Sequence, residues 1–128
     1  MNAQLGTMDM LTETLDWRPS HPVKLDALPE VIRVGPSVVY SRTGTVESPV
    51  GKTQLRAKEL ELLAHLYEHA TVTFSRGELL QRVWKYGPGL LTRTVDQTMA
   101  TLRKKIESDP EKPEFLQTVY GIGYRLVL

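Results

Sequence analysis

A regular pattern of apolar residues runs through residues 93–106. Val95, Met99, Leu102 and Ile106 recur there at intervals of four, three and four residues. At about 100° per residue these positions fall on one stripe of a helix, so the spacing predicts a helix with one buried face. Mostly polar residues occupy its opposite side: Arg93, Gln97, Ala100, Thr101 and Lys104.

This predicted helix is basic. It contains four bases against one acid, Asp96, for a net charge of +3. A helix that is buried on one side and presents donors and positive charge on the other can lie in the major groove of DNA. An ordinary solvated surface helix has the same pattern, so this segment alone leaves both interpretations open.

Short β-branched runs precede it. Val31–Val34 and Val38–Ser41 are separated by Gly35-Pro36, and Thr43-Gly44 predicts a turn before a further run that ends at Leu55. The pattern predicts a small antiparallel sheet at the start of the domain.

Two more helices are predicted between this sheet and residue 93. Leu60, Leu63, Leu66 and Tyr67 mark the apolar face of a helix over about 57–69. A second helix begins at Ser75, because Ser75 and Glu78 have the spacing of a capping box, in which each side chain bonds an amide at the helix start. Its apolar residues are Leu79, Leu80, Val83 and Trp84.

The end of the chain returns to a strand pattern. Phe115–Val119 and Tyr124–Leu128 alternate as two strands around the turn at Gly121–Gly123. The predicted order is therefore a sheet, three helices and a β-hairpin, which is an α+β fold.

The overall net charge of +1 conceals an asymmetry. Residues 1–30 hold five acids and two bases, for −3, whereas residues 31–128 hold ten acids and fourteen bases, for +4. The proline-containing segment 1–30 is predicted to be an acidic arm or linker, and its apolar spacing allows either a short amphipathic helix at 5–17 or a disordered leader. The positive charge lies in the predicted globular domain, 31–128.

Composition excludes several kinds of site. The chain of 128 residues has no cysteine, which rules out disulfides, thiolate zinc sites and cysteine nucleophiles. It contains no apolar run of membrane-spanning length and no evident signal peptide, so we expect a cytoplasmic protein with no membrane partner.

Three patterns resemble chemical sites but lack essential parts. Residues 46–53 end like a phosphate-binding loop, but Val46 stands where that motif needs glycine. His65 and His69 have the spacing of two metal ligands with no third in view, so they are interpreted as solvated, and no metal or cofactor is expected. Four acids around a proline-containing turn are interpreted as a solvated acidic loop, and no enzyme activity is expected. These acids are Glu107, Asp109, Glu111 and Glu114.

Four segments, taken in order, resemble the OmpR/PhoB-type winged-helix domain, the DNA-binding effector half of many bacterial response regulators. They are Leu55 with ELELL at 59–63, FSRGELLQRVW at 74–84, RTVD at 93–96 with LRKKI at 102–106, and QTVYGIGYR at 117–125. The resemblance implies a winged helix-turn-helix with an N-terminal antiparallel sheet, three helices and a C-terminal β-hairpin wing. It implies a cytoplasmic transcriptional regulator of a two-component system that binds double-stranded DNA.

The resemblance also implies a role for each part. The helix at 93–107 would read the major groove, residues 75–84 would position it, and the wing at 119–125 would reach the minor groove. Candidates for base-edge contacts are Gln97, Thr98, Thr101 and Lys104. Candidates for phosphate contacts are Trp84, Arg93, Thr94, Arg103, Lys105 and Arg125. The wing tip comprises Tyr120, Gly121, Ile122 and Gly123.

Partners follow from the same resemblance. The loop that can face RNA polymerase in activators corresponds to Lys85, Tyr86, Gly87, Pro88, Gly89, Leu90 and Leu91. Family members commonly bind direct repeats as pairs, so a homodimer on DNA is expected. No receiver domain precedes residue 31, which fits either an excised effector domain or a stand-alone regulator whose arm replaces the receiver.

The chain departs from the family at several positions. Ala100 and Thr101 stand where basic residues are common, and Tyr120 stands where an arginine is common at the wing tip. Arg56 replaces a common capping threonine, which predicts a poorer start to the first helix. The lost guanidinium groups leave an alternative open: a winged-helix module that docks on RNA polymerase or another regulator without specific DNA readout.

Overall fold

The structure, a computed structural model, describes residues 28–85 and 91–128. The predicted helix at 5–17 and the loop residues Tyr86, Gly87, Pro88, Gly89 and Leu90 lie outside the described residues. The described part begins with four strands: β1 (Val31–Val34), β2 (Ser37–Tyr40), β3 (Thr45–Ser48) and β4 (Gly51–Gln54). They form an antiparallel sheet in the order β1-β2-β3-β4, as the sequence predicts.

Helices and a second sheet follow. The helices are α1 (Ala57–Glu68), α2 (Arg76–Trp84) and α3 (Arg93–Ile106). The strands are β5 (Phe74–Ser75), β6 (Leu116–Val119) and β7 (Gly123–Leu126), in the sheet order β5-β7-β6. The sequence does not predict β5, because two residues are too few to show an alternating pattern. The fold is the predicted winged helix: sheet, three helices and C-terminal hairpin.

The core lies between the first sheet and the helices. On the inner face of the sheet Val39 lies opposite Ile32 on one side and Val46 on the other, and all three are fully buried. The predicted stripe of α3 is likewise buried, with Val95, Met99, Leu102 and Ile106 at most 1% exposed. Burying each such side chain contributes roughly 1.5–3 kcal/mol relative to exposure, which fixes the face that α3 presents to solvent.

Local polar contacts set the ends of the helices. Ser75 Oγ accepts from the Glu78 amide at 3.0 Å and the Glu78 carboxylate accepts from the Ser75 amide at 2.8 Å, which confirms the capping box. At the start of α1, Arg56 provides no side-chain cap, and Glu59 accepts from the Arg56 amide at 2.8 Å instead. The end of α3 is tied to the first sheet, because Ser37 Oγ donates to the Ile106 carbonyl at 2.7 Å.

The prediction that His65 and His69 are both solvated is wrong for His65. Its side chain is 6% exposed, and its ring centroid lies 4.7 Å from those of His69 and Phe74. The helix packs against α2, α3 and β7, so its buried surface is wider than the leucine stripe suggested.

The prediction that Glu107 belongs to a solvated acidic loop is also wrong. Glu107 is 5% exposed, and its carboxylate accepts the amides of Glu114, Phe115 and Leu116 at 2.7–3.0 Å. The chain reverses here to enter β6, and the carboxylate supplies the acceptors that these three backbone amides need. The other three acids of the turn are exposed, as predicted: Asp109, Glu111 and Glu114.

Candidate nucleic-acid interface

The face of α3 opposite its buried stripe is open to solvent. Arg93, Gln97, Ala100, Thr101 and Lys104 are all exposed, as the periodicity predicts. Gln97 and Lys104 are seven residues apart and therefore lie about 10 Å from each other along the same face. This face presents an amide, an ammonium and a guanidinium group outward from a helix whose other side is fixed in the core.

One flank of α3 is attached to α1 through a buried carboxylate. Glu59 is 3% exposed and accepts from Thr101 Oγ1 at 2.6 Å and from Lys105 Nζ at 2.7 Å. Burial would raise the pKa of Glu59, but the hydrogen bonds from Lys105, Thr101 and the Arg56 amide outweigh it and lower the pKa. Lys105 Nζ also donates to the Gln54 carbonyl at 2.9 Å. Two candidate DNA ligands, Thr101 and Lys105, thus have intramolecular partners.

The other flank of α3 is attached to the hairpin and to α2. Asp96 accepts from Tyr124 Oη at 2.6 Å and from Arg76 Nη1 at 2.9 Å. Burial, together with the hydrogen bond to Asp96, raises the pKa of Tyr124 to about 12. The phenol therefore remains a hydrogen-bond donor at neutral pH.

Arg103, a candidate phosphate ligand, lies on this same flank. Its Nε donates to the Leu116 carbonyl at 2.9 Å and its Nη2 to Thr118 Oγ1 at 2.8 Å. Its guanidinium carbon lies 5.4 Å from the Tyr124 ring centroid, within the range of a cation–π contact. The half-buried side chain thus binds the hairpin rather than projecting into solvent.

A groove of about 460 Å³ runs beside the exposed face of α3. It brings the candidate phosphate ligand Trp84 together with candidate base-edge ligands of α3. Its lining residues are Arg56, Ala57, Lys58, Glu59, Trp84, Gln97, Thr98 and Thr101. Trp84 and Thr98 are half-buried in its walls, and Arg56 and Lys58 add positive charge at its rim.

The hairpin projects an apolar tip. Tyr120 is 91% exposed and Ile122 is 60% exposed, on either side of Gly121, whose φ of +81° suits glycine. Gly123 allows the hairpin to approach β5, since a Cβ there would collide with the Phe74 carbonyl. Residues 116–124 contain no charged side chain, and Arg125 Nε donates to Gln117 Oε1 at 3.1 Å.

The remaining candidates are less informative. Arg93 is exposed and Thr94 half-buried at the start of α3.

Of the loop proposed to face RNA polymerase, the structure describes only Lys85 and Leu91. Lys85 has the left-handed conformation at φ 56°, and Leu91 is 60% exposed. Within residues 28–85 and 91–128 no group of three or more potential ligands could hold a metal ion, and no helix is long and apolar enough to cross a membrane.

Sequence reasoning missed four residues that organise this surface. They are Glu59, Arg76, Asp96 and Tyr124. Each of them forms a side-chain hydrogen bond with a residue at least 20 positions away in the sequence. Only Glu59 had a local signal, because it is the third residue of α1, where a carboxylate can accept the amide preceding the helix.

A basic helix fixed by its apolar face, preceded by a second helix and followed by a hairpin, defines a winged helix-turn-helix domain. The family model described as transcriptional regulatory protein, C terminal, matches residues 51–126. The chain therefore belongs to this family, the OmpR/PhoB-type effector domains of transcriptional regulators. The family is one of DNA-binding domains and not of enzymes.

Solved structures agree with this assignment. Response regulator DrrB, an OmpR/PhoB homologue of Thermotoga maritima, is 28% identical to this chain, with a TM-score of 0.68. The match covers 80% of this chain and 46% of DrrB, so this chain spans about half the length of that protein. The DNA-binding domain of Escherichia coli CadC is 28% identical over 78% of this chain and 94% of that domain, with a TM-score of 0.66. The DNA-binding domain of response regulator AdeR, solved in complex with an intercistronic region, is 27% identical over 75% of this chain and 98% of its own, with a TM-score of 0.58.

Proposed function

We propose that this domain binds duplex DNA, with α3 in the major groove and the hairpin as a wing in the adjacent minor groove. The observation that carries the proposal is the exposed face of α3, which presents Arg93, Gln97 and Lys104 from a helix fixed by its buried stripe. Amide and ammonium groups in the major groove can bind base edges, whereas exposed cations bind phosphates. The relative AdeR, whose DNA-binding domain was solved in complex with an intercistronic region, supports this role.

The contacts within the domain rank the candidate ligands. Gln97 and Lys104 are exposed and are the strongest candidates for base edges, with Thr98 deeper in the groove. Thr101 already donates its hydroxyl proton to Glu59, so while that bond is kept it can contact a base only as an acceptor or through its methyl group. Arg93, Thr94 and Trp84 are the strongest candidates for phosphates, because the cations of Lys105 and Arg125 already have partners.

The salt dependence of binding tests this proposal. Fluorescence anisotropy with mixed-sequence duplex DNA at several salt concentrations should show an affinity that falls as salt rises, with a log–log slope of roughly −0.9 for each phosphate that a cation neutralises. Lys104→Glu should abolish binding without lowering the melting temperature, because the side chain is exposed. Lys52→Glu, on β4 and also exposed, is the matched control. Unchanged affinity in Lys104→Glu, or no binding by the wild type at low salt, would contradict the proposal.

A second candidate function is an interaction module that docks on RNA polymerase or another regulator. The observation that favours it is the wing tip, where Tyr120 and Ile122 expose apolar surface in a segment, 116–124, that contains no charged residue. Under this alternative, Tyr120→Ala would leave affinity for duplex DNA unchanged. We also propose that two copies bind one operator as a pair, which the stoichiometry of the complex with a selected site would test.

A further inference from the structure

The two strands of the hairpin are attached to one flank of α3. Asp96 holds Tyr124 of β7, and Arg103, two helical turns further along, holds Leu116 and Thr118 of β6. The Tyr124 ring lies against the Arg103 guanidinium, so the two attachments are in contact. We call Asp96, Arg103 and Tyr124 the helix–wing tie.

We propose that the helix–wing tie fixes the position of the wing relative to α3, and that Arg103 is a positioning residue rather than a phosphate ligand. This inference rests on the proposed function, because it concerns how one domain reaches two neighbouring grooves. The short strand β5 also secures the hairpin, because its residues Phe74 and Ser75 pair with Tyr124 and Gly123 at the end of β7 next to the turn. The tie adds attachments to β6, which does not pair with β5, along the side of the hairpin that faces α3.

The geometry of Arg103 favours this role. A guanidinium group presents its donors in a rigid planar fork, and here Nε and Nη2 bind two acceptors on one strand. These two bonds use two of the five N–H donors of the guanidinium group and fix its plane beside β6 and the Tyr124 ring. Arg93, by contrast, is exposed on the same helix, so a matched pair of cations with different surroundings lies on one element.

The expected consequence for binding is a loss of affinity without a change in charge. When the wing is held in place, α3 and the wing can bind their two grooves together. A loosened wing must be ordered on binding, and the entropy lost in ordering it lowers the affinity. Between residues 116 and 126 only Arg125 is charged, and its Nε is bonded to Gln117, so loosening the wing should leave the number of neutralised phosphates unchanged. Loss of a true phosphate ligand instead makes the salt slope shallower by about 0.9.

The position of the wing can be measured without DNA. The chain has no native cysteine, so nitroxide labels on Ala100→Cys and Tyr120→Cys report the distance between α3 and the wing tip by pulsed electron paramagnetic resonance. Arg103→Lys and Tyr124→Phe should each broaden this distance distribution, since lysine cannot reproduce the fork and phenylalanine cannot donate to Asp96. Arg93→Gln, the control, should leave it unchanged. Unchanged distributions in both tie variants would overturn the tie.

DNA binding by the unlabelled proteins then separates the two roles of Arg103. Arg103→Lys keeps the charge, so a phosphate ligand would retain nearly wild-type affinity, whereas a positioning residue would lose about tenfold or more. We expect the loss, with an unchanged salt slope, and the same result for Tyr124→Phe. Arg93→Gln should make the slope shallower by about 0.9.

The possible failures are distinguishable. If Arg103→Lys retains its affinity for DNA, Arg103 is a phosphate ligand after all. That result would overturn this inference and leave the proposed function standing. No binding by the wild type would overturn the proposed function and the consequence for DNA, while the label distances would still decide whether the tie exists. Tyr124→Phe removes only one hydroxyl group, so it tests the tie even if substitution of Arg103 impairs folding.

Discussion

Glu59 and Lys105 form an ion pair that joins α1 to α3, with Nζ 2.7 Å from Oε1 and side-chain exposures of 4% and 21%. The pair lies between two helices that are 46 residues apart along the chain at this point. The same carboxylate accepts the Thr101 hydroxyl. One buried acid thus holds one flank of the proposed recognition helix.

We expect Glu59→Gln to lower the free energy of unfolding by about 1–3 kcal/mol, the usual range for lost hydrogen bonds to a charged group. The amide would leave Lys105 without its ion-pair partner. Urea denaturation measures the change. Glu61→Gln is the control, because its pair with Lys58 is more exposed and should contribute less than about 1 kcal/mol. Equal effects of the two substitutions would contradict the importance of burial here.

Replacing Glu107 tests the acceptor for the amides that enter β6. Glu107→Gln keeps one oxygen and introduces two donors where three amides need acceptors. We expect a loss of about 1–3 kcal/mol in the free energy of unfolding. Glu111→Gln, at an exposed position of the same turn, should change it by less than about 0.5 kcal/mol. Hydrogen exchange of the 114–116 amides should accelerate only in Glu107→Gln.

His65 makes the fold sensitive to acid. Burial lowers its pKa from 6.5 to about 4, and the charges of His69 and Arg82 act in the same direction. Among the described residues its Nε2 has no hydrogen-bond partner. Below pH 6.5 His65 binds a proton in the unfolded chain but stays neutral in the folded protein. The free energy of unfolding therefore falls as the pH drops from 6.5 towards 4.

The measurement is the free energy of unfolding at several pH values in the wild type and in His65→Leu. Above pH 6.5 the histidine is neutral in both states and contributes no pH dependence. The difference between the two proteins should therefore change only between pH 6.5 and about 4, in favour of the leucine variant at the acidic end. A constant difference across this window would show that His65 titrates alike in both states.

Three glycine-to-alanine substitutions should differ sharply. Gly123→Ala places a methyl group against the Phe74 backbone and should displace the hairpin or unfold the domain. Gly121→Ala meets no neighbour but has φ of +81°, which costs roughly 1–2 kcal/mol. Gly77→Ala, in α2, meets only an ordinary contact with Ser75 Oγ at 4.0 Å and should stabilise the domain by up to about 1 kcal/mol. Thermal melting gives the order, and a tolerated Gly123→Ala would contradict the close approach.

Periodicity in the sequence predicted much of the fold. The stripe of α3, the capping box at Ser75 and Glu78, the first sheet and the terminal hairpin are all confirmed. These features depend on residues within one or two turns of each other, whose spacing reports directly on which face is apolar. The exposed face of α3 follows from the same pattern, because burying one stripe leaves the other side outward.

Only the tertiary structure decided which polar side chains are available on that face. Thr101 and Gln97 look equivalent in the sequence, yet Thr101 bonds a carboxylate 42 residues away. Arg93 and Arg103 look equivalent as well, but strand β6 lies beside α3 at Arg103 and supplies two acceptors for its guanidinium group. Periodicity determines the direction of a side chain from its own helix, whereas its partner depends on which distant segment packs beside it.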